Sequence, residues 1–245
     1  MIAFFTEIRE TFVPRAGSKY GPLPPLLVSL TLVTGLVDAF SYLLLGHVFV
    51  ANMTGNVVIL GFALVGAKGF SASACLVAIA AFAVGGAAGG RIGSRFSKHR
   101  GRHLSTAAIV QTVFLTVGAV LAGLSGRPFP ARYHYALIVA LAIAMGIQNA
   151  TARKLAVPDL TTTVLTLTIT GIAADGVIGG GKGSKAGRRL MAVGIMLAGA
   201  VVGAAFVIHG EVAYPLMIAV IVALGVAAIA GILGKSNPTW VEVDS

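Results

Sequence analysis

Hydrophobic positions along this chain come in unbroken runs, with few polar residues at the intervals that mark a half-buried helix or strand. Six runs, at about 24–45, 71–90, 104–124, 134–154, 189–208 and 212–233, are each near twenty residues long and almost free of charge. A bilayer with a hydrocarbon core of ~30 Å needs about that many helical residues, so each run predicts a membrane-crossing α-helix. Two further apolar segments, 53–66 and 161–174, hold 14 residues each. At ~1.5 Å per residue they reach only about 21 Å, too short to cross unaided. Both open on residues that cap helices: Asn52, Thr54, Gly55 and Asn56 in the first, Thr161, Thr162 and Thr163 in the second. Near the N-terminus, Ile2, Phe4, Phe5, Ile8 and Phe12 fall near one helical face, with Glu7, Arg9 and Glu10 opposite. That pattern predicts a short interfacial helix within residues 1–23.

Composition gives the same class. Of 245 residues 57% are hydrophobic and 11% charged, against about a quarter charged in a soluble domain. Between Pro24 and Gly90 the only formal charges are Asp38 and Lys68. The fold class is therefore an all-α polytopic membrane protein. The net charge of +10 is not accompanied by the aromatic–basic interleaving of a nucleic-acid binder, and none is expected as a partner. Instead it fits the concentration of Lys and Arg in cytoplasmic loops. The single Cys75 excludes an internal disulfide. Residues 1–23 lack the compact apolar core and small-residue cleavage site of a cleavable signal.

Charge also decides what the short segments do. If all eight segments cross, the basic stretch "RIGSRFSKHRGRH" (91–103) lies outside. If both short ones re-enter on the side they came from, only Lys68, Arg127 and Arg132 of the 18 Lys and Arg lie outside. Six long spans plus two short re-entrant half-helices follow, with both termini cytoplasmic. An internal repeat agrees. "GLVDA" (35–39) is echoed by "GIQNA" (146–150), and "MTGNVVILG" (53–61) by "LTTTVLTLT" (160–168). Gly85 and Gly89 correspond to Gly199 and Gly203. The chain divides into a terminal segment 1–23, repeats over 24–124 and 134–233, and a tail 234–245. Three spans per repeat is an odd number, so the second copy is inverted relative to the first, a recurring transporter plan.

Half-helices that begin inside a membrane expose N–H donors and roughly half a positive charge, which suits an anion or a polar solute. Asp38 is the only acid well inside a long span, a costly position that is by default a functional candidate. Its candidate roles are a proton relay, a cation ligand, or an acceptor that fixes the broken helix. At the matching place in the second repeat stand the neutral Gln148 and Asn149. The expected solute site is thus Asp38, Asn52, Thr54, Gly55, Asn56, Gln148, Asn149 and Thr161–Thr163. Asp175 reads as a solvated helix end, His47 as a packing residue, and "GVIGGGKGS" (176–184) as a flexible basic loop without the strand of a phosphate loop. "GGAAGG" (85–90) permits close helix approach, and leaves a homo-oligomer open. No metal-spaced cluster, nucleophile–base pair or cofactor motif stands out, so no enzyme is expected.

The stretch "TGLVDAFSYLLLGHVFVANMTGN" (34–56) resembles the YoaK-type family of bacterial inner-membrane proteins of unknown function. Thr34, Gly35, Asp38, Ala39, Ser41, Gly46, Phe49, Ala51, Met53, Thr54, Gly55 and Asn56 carry the resemblance. Gly146, Gln148, Asn149 and Thr161–Thr163 form a weaker second block. The resemblance extends over roughly 23–233 and implies a small polytopic protein of the cytoplasmic membrane, with no catalytic residues to carry over. The expected function is a small-solute transporter or channel in the lipid bilayer. The competing expectation is a non-transporting scaffold whose basic loops hold a cytoplasmic partner or anionic lipid.

The topology is tested with Cys75→Ser and single cysteines at Ser97 or Ser184. With six spans both sites resist a membrane-impermeant thiol reagent until the cells are permeabilised. Labelling of only one in intact cells would mean that a short segment crosses.

Overall fold

The chain is described from a computed structural model that covers residues 2–14, 17–126, 128–158, 160, 162, 165–175, 180, 186–235 and 239–241, without the side chains of 2–5 and 165. These residues form α1 (Ile2–Phe12), α2 (Leu23–Leu44), α3 (Met53–Leu64), α4 (Ala72–Arg95), α5 (Arg100–Leu124), α6 (Ala131–Leu155), α7 (Leu165–Ala174), α8 (Ala186–Ile208) and α9 (Tyr214–Gly234). A single 3₁₀ turn, Thr239–Val241, follows. Among the described residues there is no strand, and six helices are long and apolar enough to cross a membrane: α2, α4, α5, α6, α8 and α9.

Element boundaries follow caps more than hydropathy. α5 begins four residues before its apolar run because His99 caps it, its Nδ1 accepting the Arg102 N–H at 3.0 Å. Ser71 caps α4 through the Ala74 N–H. α7 corrects the expectation: it starts at Leu165 and not near Thr161. Thr162 has a left-handed φ of 59°, a conformation a helix cannot include, so the helix begins after it.

Glycine sets how the long helices pack. A Cβ on Gly35 of α2 would collide with the backbone of Met196 and Ala200 on α8. In return, Gly199 lies on Leu32, and Gly203 on Leu36 and Ala39. The α6–α4 pair repeats this contact residue for residue. Gly146 meets the backbone of Phe82 and Gly86, Gly85 meets Ile143, and Gly89 meets Ile147 and Ala150. Such small residues let backbones approach where no water is available to drive association. The two contacts exchange the halves: the first helix of each packs on the second long helix of the other.

The same contacts fix helix direction. α2 runs parallel to α8, and α4 parallel to α6. α5 runs antiparallel to α9, with Gly101 on Ala230 and Gly234 at one end and Gly123 near Ala213 at the other. α2 and α6 are antiparallel: Gln148 bonds the Leu30 carbonyl, and Gly46 nears His134. The chain therefore leaves α2 and enters α4 at one end, and leaves α6 and enters α8 at the opposite end. Arg95, Arg102, Arg153, Lys154, Arg188, Arg189 and Lys235 all belong to one end, and Lys68 and Arg132 to the other.

α2 and α6 are the centre, with 72% and 67% of their most apolar windows buried, against 22–39% in the other four long helices. The exposed faces of those four are apolar, with Val84, Val113, Leu197 and Ile221 more than half uncovered. α1 is held against the start of α8. Glu7 Oε2 accepts the Gly187 N–H at 3.0 Å at the start of α8, and Arg188 Nε donates to Thr11 Oγ1 at 3.2 Å. At the basic end, buried Arg100 donates to the Lys19 carbonyl at 2.9 Å and lies over the Tyr20 ring.

Gly199→Ala places a methyl group against the Leu32 carbonyl and is expected to cost about 1–3 kcal/mol. Gly194→Ala on the same helix meets nothing within 4 Å and is expected to be neutral or to stabilise by up to about 1 kcal/mol. Thermal unfolding in detergent separates them, and equal melting temperatures would refute the packing assignment.

Candidate functional site

Between α2 and α3 the chain runs as non-helical backbone through Val48–Asn52, and its polar groups need partners where water is scarce. Two side chains supply them. Asp38 Oδ1 on α2 accepts the N–H of Ala51 at 2.9 Å and of Val50 at 3.3 Å. Asn56 on α3 turns back and pairs with both groups of Phe49. Its Oδ1 accepts the Phe49 N–H at 2.9 Å, and its Nδ2 donates to the Phe49 carbonyl at 2.6 Å. Asn52 caps α3, accepting the Gly55 N–H at 3.3 Å. Gly55 is required by space: a Cβ there would lie 2.8 Å from the Phe49 ring. That ring stacks on Tyr42 at 4.8 Å, fixing the approach to the half-helix from both sides.

The start of α3 opens on a cavity of about 710 Å³. Ala51, Asn52, Met53, Thr54 and Gly55 line one side. Asn149 of α6, Thr166 near the start of α7, and Met196 of α8 line another, with Tyr42, Phe49 and Phe82 between. Both halves of the chain thus meet there, and the beginnings of both short helices reach its wall. None of its described lining residues is Asp, Glu, Lys, Arg or His. Phe82 and Asn149 also line a second cavity of about 520 Å³, which runs along Gly86, Gly90 and Gly146 to Arg153 and Lys154 at the basic end.

Of the residues expected from sequence, Asn52, Thr54, Gly55 and Asn149 line the first cavity. Asp38 and Asn56 stand behind its wall, their oxygen acceptors engaged by backbone. Gln148 is placed elsewhere, in a buried polar relay among three helices. Its Nε2 donates to Thr34 Oγ1 at 2.9 Å and to the Leu30 carbonyl at 3.1 Å, and its Oε1 accepts from Gln111 Nε2 at 2.6 Å. Thr162 is buried, its hydroxyl without a hydrogen-bond partner among the described residues. Thr161 and Thr163 lie outside the described residues. Asp175 pairs with Arg189 at 2.8 Å, tying the end of α7 to α8. His47 bonds the Gly69 carbonyl through Nδ1 at 3.2 Å.

Sequence reasoning missed Tyr42, Phe82, Thr166, Met196 and Arg153. For two of them a signal was present: Phe82 and Met196 each stand three residues before the matched glycines Gly85 and Gly199. Nothing in the sequence singles out Arg153 from the other basic helix ends.

The family model described as "Protein of unknown function (DUF1275)" matches residues 26–229. The chain is 35% identical over 150 residues to the "UPF0700 transmembrane protein YoaK" of Bacillus subtilis, a match that covers 61% of this chain and 65% of that protein. No solved structure matches.

Removing the acceptor that holds the 50–51 backbone leaves buried N–H groups unpaired, at a cost of about 1–3 kcal/mol. Asp38→Ala and Asn56→Ala are therefore expected to lower the melting temperature in detergent. Asp38→Asn keeps an oxygen in place and is expected to fall between Asp38→Ala and the wild type. Alanine variants that melt with the wild type would show that these bonds do not hold the half-helix.

Proposed function

We propose that this chain, which belongs to the DUF1275 family of proteins of unknown function, passes a small anion or polar solute across the bacterial inner membrane. In this reading the six long helices cross, and α3 and α7 re-enter from opposite faces. The two repeats are related by an inverted topology. The basic end, with both termini, faces the cytoplasm, as the distribution of Lys and Arg favours.

One observation carries the reading: a single cavity of about 710 Å³ has the start of α3 on its wall and Thr166, near the start of α7, on the same wall. Irregular backbone within a membrane is tolerated where it lines a cavity, and half-helix N-termini direct N–H groups and partial positive charge at what the cavity holds. Thr54, Asn52, Asn149 and Thr166 supply neutral polar side chains there. A wall without a carboxylate among its described residues favours an anion or a neutral polar molecule over a cation. The second cavity, ending on Arg153 and Lys154, gives an anion a route to the basic end. Asp38 acts on the solute only through the backbone it positions, and a proton-relay role has no support from its hydrogen bonds.

The test is flux into proteoliposomes of the purified chain, with nitrate, formate, chloride, urea and glycerol as probes. At least one is expected to enter faster than into protein-free vesicles. Thr54→Val, which removes one exposed hydroxyl, is expected to slow that flux by about tenfold, the equivalent of one hydrogen bond. Fluxes equal to the protein-free control for every probe would sink the proposal and favour a non-transporting scaffold.

A further inference from the structure

α5 and α9 pack antiparallel, and each presents one apolar stripe outward. On α5 the stripe is Ile109, Val113, Val117 and Val120, and it continues toward the basic end through Thr106 to Arg102. The spacings of four, three, four, four and three residues keep it on one face of the helix. On α9 the stripe runs from Met217 through Ile221 and Leu224 to Gly231 and Lys235, again at helical spacing. Because the helices are antiparallel, both stripes end in their cations at the same end of the molecule.

Where the stripes end there is a cavity of about 270 Å³ between the two helices, lined by Arg102, Thr106, Ser105, Gly231, Gly234 and Lys235 together with Phe96. It exists because α9 carries glycine there: a Cβ on Gly231 would lie 3.0 Å from the Ser105 hydroxyl. That hydroxyl is committed to the Ala227 carbonyl at 2.8 Å. Among the described residues no carboxylate lines the cavity. Among the described residues the Arg102 guanidinium and the Lys235 ammonium make no hydrogen bond or ion pair with the protein. Two cations without a partner among the described residues thus stand at the head of an apolar track that has the length of a bilayer leaflet or more.

We infer that this groove binds one acidic phospholipid, with its phosphate between Arg102 and Lys235 and its acyl chains along the α5 and α9 stripes. The chemistry selects the ligand on both counts. A phosphodiester matches the two cations. Chains of a lipid match exposed Ile109, Val113, Leu224 and Ile221, which free phosphate would leave uncovered. Basic pockets between membrane helices at the cytoplasmic face are suited to such headgroups. The site is separate from the two cavities of the proposed solute path, so it stands or falls without it.

The experiment is native mass spectrometry of the full chain in detergent, with dioleoylphosphatidylglycerol, dioleoylphosphatidylcholine and inorganic phosphate added separately. One phosphatidylglycerol is expected to remain bound, with phosphatidylcholine and phosphate binding far more weakly. The double variant R102Q/K235Q is expected to weaken phosphatidylglycerol binding by about thirtyfold, from two lost charges at the surface. Lys68→Gln and Arg132→Gln at the other end are expected to leave it unchanged. Because neither cation holds the fold together, the double variant should melt with the lipid-free wild type, which excludes misfolding as the cause. Equal phosphatidylglycerol affinity in the double variant would overturn the site. Phosphate that binds as tightly as the lipid would overturn the lipid as its occupant.

Discussion

The structure depends on how three residues of irregular backbone find hydrogen-bond partners away from water. Phe49, Val50 and Ala51 cannot use a helix ladder, and an unpaired N–H or C=O in such a place costs free energy comparable to a lost hydrogen bond. Asp38 and Asn56 resolve this from the two helices on either side, one carboxylate oxygen serving two N–H groups and one amide serving both groups of Phe49. With that satisfied, Asn52 starts α3, Gly55 makes room for the Phe49 ring, and Thr54 is presented to the cavity. An ionisable residue inside a span is usually read as functional. Here its geometry is that of a positioning residue, and the polar groups left for chemistry are those it exposes.

The second constraint is backbone-on-backbone contact. Gly35, Gly199 and Gly203 bring α2 against α8, and Gly146, Gly85 and Gly89 bring α6 against α4 in the same way. Each half completes the other's interface, so neither buries its glycine faces alone. This exchange sets α2 and α6 at the centre and places Phe82 and Met196, at matching positions, on the wall of one cavity. Gln111, Gln148 and Thr34 then lock α5, α6 and α2 at a fixed rotation through bonds of 2.6–2.9 Å. A buried polar relay of this kind specifies one arrangement of helices that apolar packing alone would leave less defined.

The halves match in backbone and differ in chemistry. Asp38 of the first corresponds to Asn149 of the second, and Tyr42 corresponds to Arg153. The first half therefore keeps its one buried acid behind the cavity wall and an aromatic residue on it, while the second contributes an amide to the wall and a cation to the neighbouring cavity. α4 carries Gly86 and Gly90 where α8 carries Ala200 and Ala204, and it is along the glycines that the second cavity opens. Duplicated backbones with unequal linings give the proposed path a direction, from a neutral polar centre to a basic end.

Sequence alone determined the class, the six spans, the two short helices and the paired glycines, because these depend on local composition and on a period that hydrocarbon length and helix rise impose. It determined that Asn52 caps α3, since capping needs only neighbours within three residues. It overran at Thr161–Thr163, where propensity for a cap says nothing about the left-handed turn that Thr162 adopts. What only the tertiary structure decided is which polar residues face space and which are consumed by packing. Asp38, Asn56 and Gln148 looked in sequence like Thr54 and Asn149, but their partners lie 7 to 118 residues away in the chain. No local pattern records whether such a side chain has met its partner. The fold brings the two together, and with that it separates the residues that hold the backbone from those left open to the cavity.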